Sequence, residues 1–160
     1  MTVQIRKKTI RTRAASLLGA SLLAVAAIGV TSAASVGTAY AQEEGRQFSA
    51  KAGEKVNEAL TMASSGNNQA ALNILQAAIT MPDLNAYERS TIYQMMGQYS
   101  YENDRPVEAQ QAFENAINAG GLLPKEVDNI KVVIAQLMIG NGQYREGAQR
   151  LENYLNSGGQ

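Results

Sequence analysis

A chain of 160 residues with 14 basic and 14 acidic side chains, and with neither Cys nor His, excludes much at once. There is no disulfide, thiol nucleophile, thiolate zinc site or imidazole base. Catalytic triads and His-ligated metals are out of reach, so no cofactor or metal is expected and the chain reads as a non-enzyme.

The zero net charge is divided unevenly: residues 1–41 carry five basic and no acidic side chains, which leaves −5 for the rest. Arg6, Lys7, Lys8, Arg11 and Arg13 make a basic start, Ala14–Val30 is rich in Ala, Leu and Val, and a small, polar stretch ends at Ala39-Tyr40-Ala41. That order predicts a secretory signal peptide over residues 1–41, cleaved after Ala41. An uncleaved anchor is the rival reading. Spanning a bilayer takes about 20 apolar residues, and here Ser16, Gly19 and Ser21 dilute a shorter run. Arg11-Thr12-Arg13 is not an adjacent arginine pair, which favours Sec export over the twin-arginine route. The remaining Gln42–Gln160, 119 residues, suits one domain with no membrane span. Its negative charge, without any Lys/Arg cluster, argues against nucleic acid as a partner.

Beyond the leader, residue types recur 38 positions apart: Ala59, Gly97 and Ala135; Ala71, Ala109 and Gly147; Leu75, Phe113 and Leu151; Gly66, Asp104 and Gly142. Several columns sharing one offset point to a stack of repeated supersecondary units. Within each unit the apolar residues fall at three and four spacing, as on the face of a helix. The expected fold class is all-α, an α-solenoid of three helix-turn-helix units, with helices near 46–64, 68–80, 86–102, 106–119, 124–140 and 144–156. Pro106 suits the first turn of the fourth helix, with Asn103 or Asp104 as its cap. Met81-Pro82-Asp83 and Gly120-Gly121 mark the joints between units. Short side chains at 59, 97 and 135 let helices approach those carrying 71, 109 and 147, and the larger residues fill the space alongside.

The middle unit reads Tyr93-x-x-Met96-Gly97, then Ala109-x-x-x-Phe113-x-x-Ala116. This resembles the tetratricopeptide repeat (TPR), with units at about 50–83, 86–121 and 124–157 in a domain spanning 42–160. The family's period is about 34, so the period of 38 here implies longer joints. Asn85-Ala86-Tyr87-Glu88-Arg89, Tyr93-Gln94-Met95-Met96-Gly97 and Ala135-Gln136-Leu137 are also similar to periplasmic TPR proteins associated with TonB systems. The resemblance implies a periplasmic scaffold that holds a protein or peptide segment, as an accessory of a TonB-type envelope complex.

It also implies where binding occurs, because in TPR proteins the first helix of each pair lines a concave groove. The matching positions are Thr91, Gln94, Gln98 and Tyr101, then Asn129, Val132, Gln136 and Ile139, with Val56, Leu60 and Ala63 from the first unit. A plainer reading makes Val56, Leu60, Val132 and Ile139 core and the glutamines a solvated face. TPR grooves that clamp a C-terminal carboxylate use Lys or Arg, whereas these positions are neutral. Amides both donate and accept, and so suit the backbone of a bound segment.

Nothing after the last helix caps the stack except a short Gly-rich tail, so Tyr144, Leu151, Tyr154 and Leu155 offer a surface for a homodimer through the C-terminal helix. The alternative is that Leu151 and Tyr154 turn inward and Leu155 alone is exposed. Two competing functions remain: a carboxylate-based periplasmic hydrolase, for which Glu102 and Asp104 are the candidate pair, and a self-assembling structural protein.

Overall fold

Residues 46–158, which the computed structural model describes, fold into helices α1 (Ala50–Ser64), α2 (Asn68–Ala78), α3 (Ala86–Glu102), α4 (Pro106–Asn118), α5 (Pro124–Gly140) and α6 (Tyr144–Asn156). No strand occurs among the described residues, so the fold class is all-α. The leader expected over residues 1–41 lies outside the described residues. None of the described helices is long and apolar enough to cross a membrane.

Local chemistry sets the helix starts. The Ser49 hydroxyl accepts from Ala52 N at 3.4 Å, and Asn67 Oδ1 accepts from Ala70 N at 3.1 Å. Asn85 and Glu88 form a reciprocal capping box, with Glu88 N donating to Asn85 Oδ1 at 2.9 Å and Asn85 N to Glu88 Oε2 at 2.7 Å. On α5, Leu123 N donates to Glu126 Oε2 at 2.7 Å. Pro124 there, like Pro106 on α4, occupies the first turn, where a missing N–H costs nothing.

The turns inside the helix pairs share one chemistry. Gly66, Asp104 and Gly142 take φ of +79°, +58° and +82°. The residue after each donates back to the last turn of the preceding helix: Asn67 to Met62, Arg105 to Ser100 and Gln143 to Met138, at 2.9, 2.9 and 2.8 Å. These are Schellman closures, which need a left-handed residue at the helix end. They also correct the expected cap of α4. Asn103 ends α3, its amide donating to Tyr99 O at 2.8 Å, while Asp104 closes the turn; Arg105 becomes the N-cap residue, with no side-chain cap bond.

Three helix ends differ from expectation. α2 stops at Ala78 and α4 at Asn118, one or two residues early. The larger change is at the start of α1, which begins at Ala50 rather than 46. Ser49 caps the helix, and Arg46–Phe48 are drawn elsewhere. Ser49 N donates to Glu88 Oε1 at 2.6 Å, and Asn85 Nδ2 to Gln47 O at 3.1 Å. Phe48 packs on Tyr87 with ring centroids 5.4 Å apart, and the Arg46 guanidinium lies 4.7 Å from the same ring centre. Arg46 also donates to Gly121 O at 3.1 Å and pairs with Glu126 at 2.7 Å. Residues 46–49 therefore strap the starts of α3 and α5 together.

Helices adjacent in sequence pack side by side, and α1 also meets α3. One apolar cluster joins α1, α2 and α3 through residues such as Val56, Leu72, Leu75, Ile92, Met95 and Tyr99; a second joins α4 and α5 through Phe113, Ala116, Ile130, Ile134 and Leu137. The small residues sit where backbones come close. A Cβ at Gly97 would stand 2.8 Å from the Phe113 ring, and one at Gly147 would stand 2.6 Å from Ile139 Cγ1 and 2.8 Å from Ala135 O. The expected approach of 135 to 147 is thus found at the α5–α6 contact, whereas Gly97 meets Phe113 rather than Ala109. Leu151 departs from its column, being half-buried where Leu75 and Phe113 are buried.

Candidate functional site

α3 is held from two sides. Ile92, Met95 and Tyr99 anchor it in the first cluster, while Gly97 seats Phe113 of α4 and Tyr93 packs on the second cluster. Burial pushes the Tyr99 phenol above its ordinary value, and nearby Glu102 adds to the effect. The face left over carries Thr91, Gln94, Gln98 and Tyr101. Their spacing of three and four places them on one side of the helix. The first three are half-buried, and Tyr101 is 39% exposed. Gln98 Nε2 donates to Glu102 Oε1 at 3.1 Å, which fixes its amide orientation on that face.

The corresponding face of α5 has Asn129 and Gln136 exposed, with Val132 and Ile139 half-buried. Ile139 is turned to the α5–α6 contact, beside Gly147. Each set of four shares a helix side, yet the two sets are not brought into contact: no Cα of α3 comes within 8 Å of a Cα of α5. In the first unit the plainer reading applies. Val56 is buried, and Leu60 and Ala63 pack against the first cluster.

The chemistry of these positions is uniform. They supply amides, a hydroxyl, a phenol and aliphatic carbon, with no formal charge among the eight. Such a lining can hydrogen-bond a peptide backbone in either sense and cover apolar side chains, but it offers no ion pair to a terminal carboxylate. Of the two carboxylates considered as an acid pair, Glu102 is the partner of Gln98 and Asp104 occupies the left-handed turn. Among the described residues no three Asp or Glu side chains form a group able to hold a metal ion.

A second polar constellation lies at the joint between α2 and α3 and the start of α5. Glu88 is only 1% exposed, and Ser90 is fully buried, its hydroxyl accepting from Gly121 N at 3.0 Å. Burial alone would raise the Glu88 carboxyl, but the N–H donors of Ser49 and Asn85, the Ser49 hydroxyl and the Arg89 charge together hold it below its ordinary value. Half of the local signal was present at both joints: Asn85-x-x-Glu88 is a capping-box pattern, and its Glu recurs 38 residues on as Glu126, where Leu123 offers no side-chain acceptor. The chain from Arg46 to Ser49 that these carboxylates receive had no such signal. A search of protein families, curated proteins and solved structures finds no match to this chain.

Proposed function

We propose that the chain is a non-catalytic scaffold of the periplasm: an exported stack of three TPR-like helix pairs that holds a protein or peptide segment along the α3 and α5 faces. The observation that carries the reading is the spacing of the three Schellman turns. Gly66, Asp104 and Gly142 stand 38 residues apart in the same left-handed conformation, with α2, α4 and α6 starting two residues after each. One unit repeated with its turn and buried small residues in register is the pattern of a quasi-one-dimensional stack. Such stacks bind through the side chains that vary between units rather than through a catalytic centre. The neutral amides of Gln94, Gln98 and Gln136, with the half-exposed Tyr101 as an aromatic anchor, suit a segment of extended or helical backbone. The export signal and the resemblance to TonB-associated periplasmic proteins make an envelope protein the natural partner class.

The test is binding of the immobilised chain to a solubilised envelope fraction, comparing wild type with the Gln94→Ala/Gln98→Ala/Tyr101→Ala variant. None of the three is buried, so the helix should persist by circular dichroism. The variant is expected to lose at least tenfold in affinity for the protein that the wild type retains, since aromatic anchors commonly contribute about 2 kcal/mol. Unchanged retention would remove the α3 face from the binding surface.

A further inference from the structure

α6 carries an apolar stripe that the described residues leave largely open. Tyr144, Ala148, Leu151 and Leu155 fall within one side of the helix at about 100° per residue. Tyr144 is 69% and Leu155 65% exposed, Ala148 is exposed and Leu151 is half-buried. Gly147 is the one buried residue of α6 and turns to α5. The expectation that Leu155 alone would be exposed is therefore too narrow, because Tyr144 is open as well.

Two features of this stripe say what covers it. The first excludes end-to-end growth. The counterpart that covers α2 is α3, through Ile92, Met95, Met96 and Tyr99. The positions 38 residues earlier on α1 are Glu54, Asn57, Glu58 and Thr61, all exposed and polar. The α1 end of a second copy thus offers no apolar face to the α6 stripe, and a head-to-tail filament is disfavoured. The second feature is the symmetry of the stripe. Tyr144 and Leu155 are equidistant from the midpoint between Gln149 and Arg150, and so are Ala148 and Leu151. An antiparallel pair of α6 helices about a two-fold axis there sets each Tyr144 against Leu155 of the second copy. It sets each Ala148 against Leu151 of the second copy, small against large, as the interior of this fold does.

The charges agree. On the flank away from Gly147 lie Arg145 and Glu152, both exposed and without an ion-pair partner among the described residues, whereas Arg150 on the other flank is held by Glu114 at 3.0 Å. In the antiparallel pair like flanks meet, which brings Arg145 of one copy to Glu152 of the other, twice. We propose that the chain forms a two-fold homodimer through this α6 stripe. The patch is small, so the dimer belongs with weak interfaces below about 1,200 Å².

Sedimentation velocity of the full chain, expressed with its own N-terminal segment and recovered as the cell processes it, tests this between about 1 and 500 µM, the range where a weak dimer populates. The wild type should pass from monomer to dimer. Leu155→Asp should weaken association by more than about 100-fold, and Arg145→Glu or Glu152→Arg by about tenfold each. The Arg145→Glu/Glu152→Arg double variant should return to within about threefold of wild type, because the swap restores the pair. All positions altered here are exposed, and far-ultraviolet dichroism confirms that each variant folds. A monomer at every concentration overturns the proposal, whether the stripe then takes a foreign helix or the chain's own N-terminal segment. A dimer indifferent to Leu155→Asp, or one not restored by the double swap, overturns it too.

Discussion

Replacing Gly121 by Ala is expected to cost about 3 kcal/mol of stability and to lower the melting temperature by about 10–15 °C. The cause is steric. A Cβ at 121 would run into the carbonyl of Ala86 and the nitrogen of Tyr87, which are backbone atoms with no rotamer to yield. That backbone is fixed on both sides. Gly121 N donates to the Ser90 hydroxyl at 3.0 Å, and Gly121 O accepts from Arg46 at 3.1 Å. The neighbouring glycine separates this effect from conformational strain. Gly120 has φ +76° and open space around its missing Cβ, so Gly120→Ala should cost only the left-handed penalty, about 1 kcal/mol. Thermal melts of the two variants check the distinction. If they melt together, the close approach of the α4–α5 joint to the start of α3 does not govern stability.

The second large effect is at Glu88. Glu88→Gln should destabilise the fold by about 2 kcal/mol near neutral pH, since two charge-assisted acceptors are weakened at a site sealed from water. The loss should depend on pH in a definite direction. The Glu88 carboxyl is held below its ordinary value of 4.5 in the folded chain. Its stabilising contribution is therefore whole above that value and is lost as the pH falls through the lower, folded one. Gln does not titrate there. The gap between wild type and variant should shrink on going from pH 7 to about pH 3, measured by urea denaturation. A gap that is constant with pH would mean that the Glu88 charge contributes nothing and that shape alone is at stake.

What the sequence made legible follows from how local each cause is. The turns at Gly66, Asp104 and Gly142 could be placed because a left-handed helix end needs Gly or a short polar residue. The buried columns could be placed because small residues recurring every 38 positions mark where the two helices of a pair must approach closely, as α5 and α6 do at Gly147. The bounds of α3, α5 and α6 came out as expected for a related reason: capping residues, Pro and Gly punctuate them. The strap did not come out. Arg46 reaches Gly121 and Glu126, 75 and 80 residues away, and no window of neighbouring residues carries that information. Asn103 ends α3 rather than starting α4, because an Asn between two helices can do either and only the left-handed backbone at Asp104 decides which. At the candidate site, helical spacing sufficed to group Thr91, Gln94, Gln98 and Tyr101 on one side of α3. It could not tell that Ile139 is taken up by the α6 contact, since that depends on the lack of a side chain at Gly147.

The proposed function rests on the α3 and α5 faces, and cross-linking in the living cell shows whether a partner lies against them. A photoreactive amino acid at half-buried Gln98 on α3 or exposed Gln136 on α5 is compared with the same residue at exposed Gln111 on α4. Covalent adducts to a different polypeptide are expected from positions 98 and 136 and none from 111. Adducts from 111 alone, or equally from all three, would contradict the proposed function.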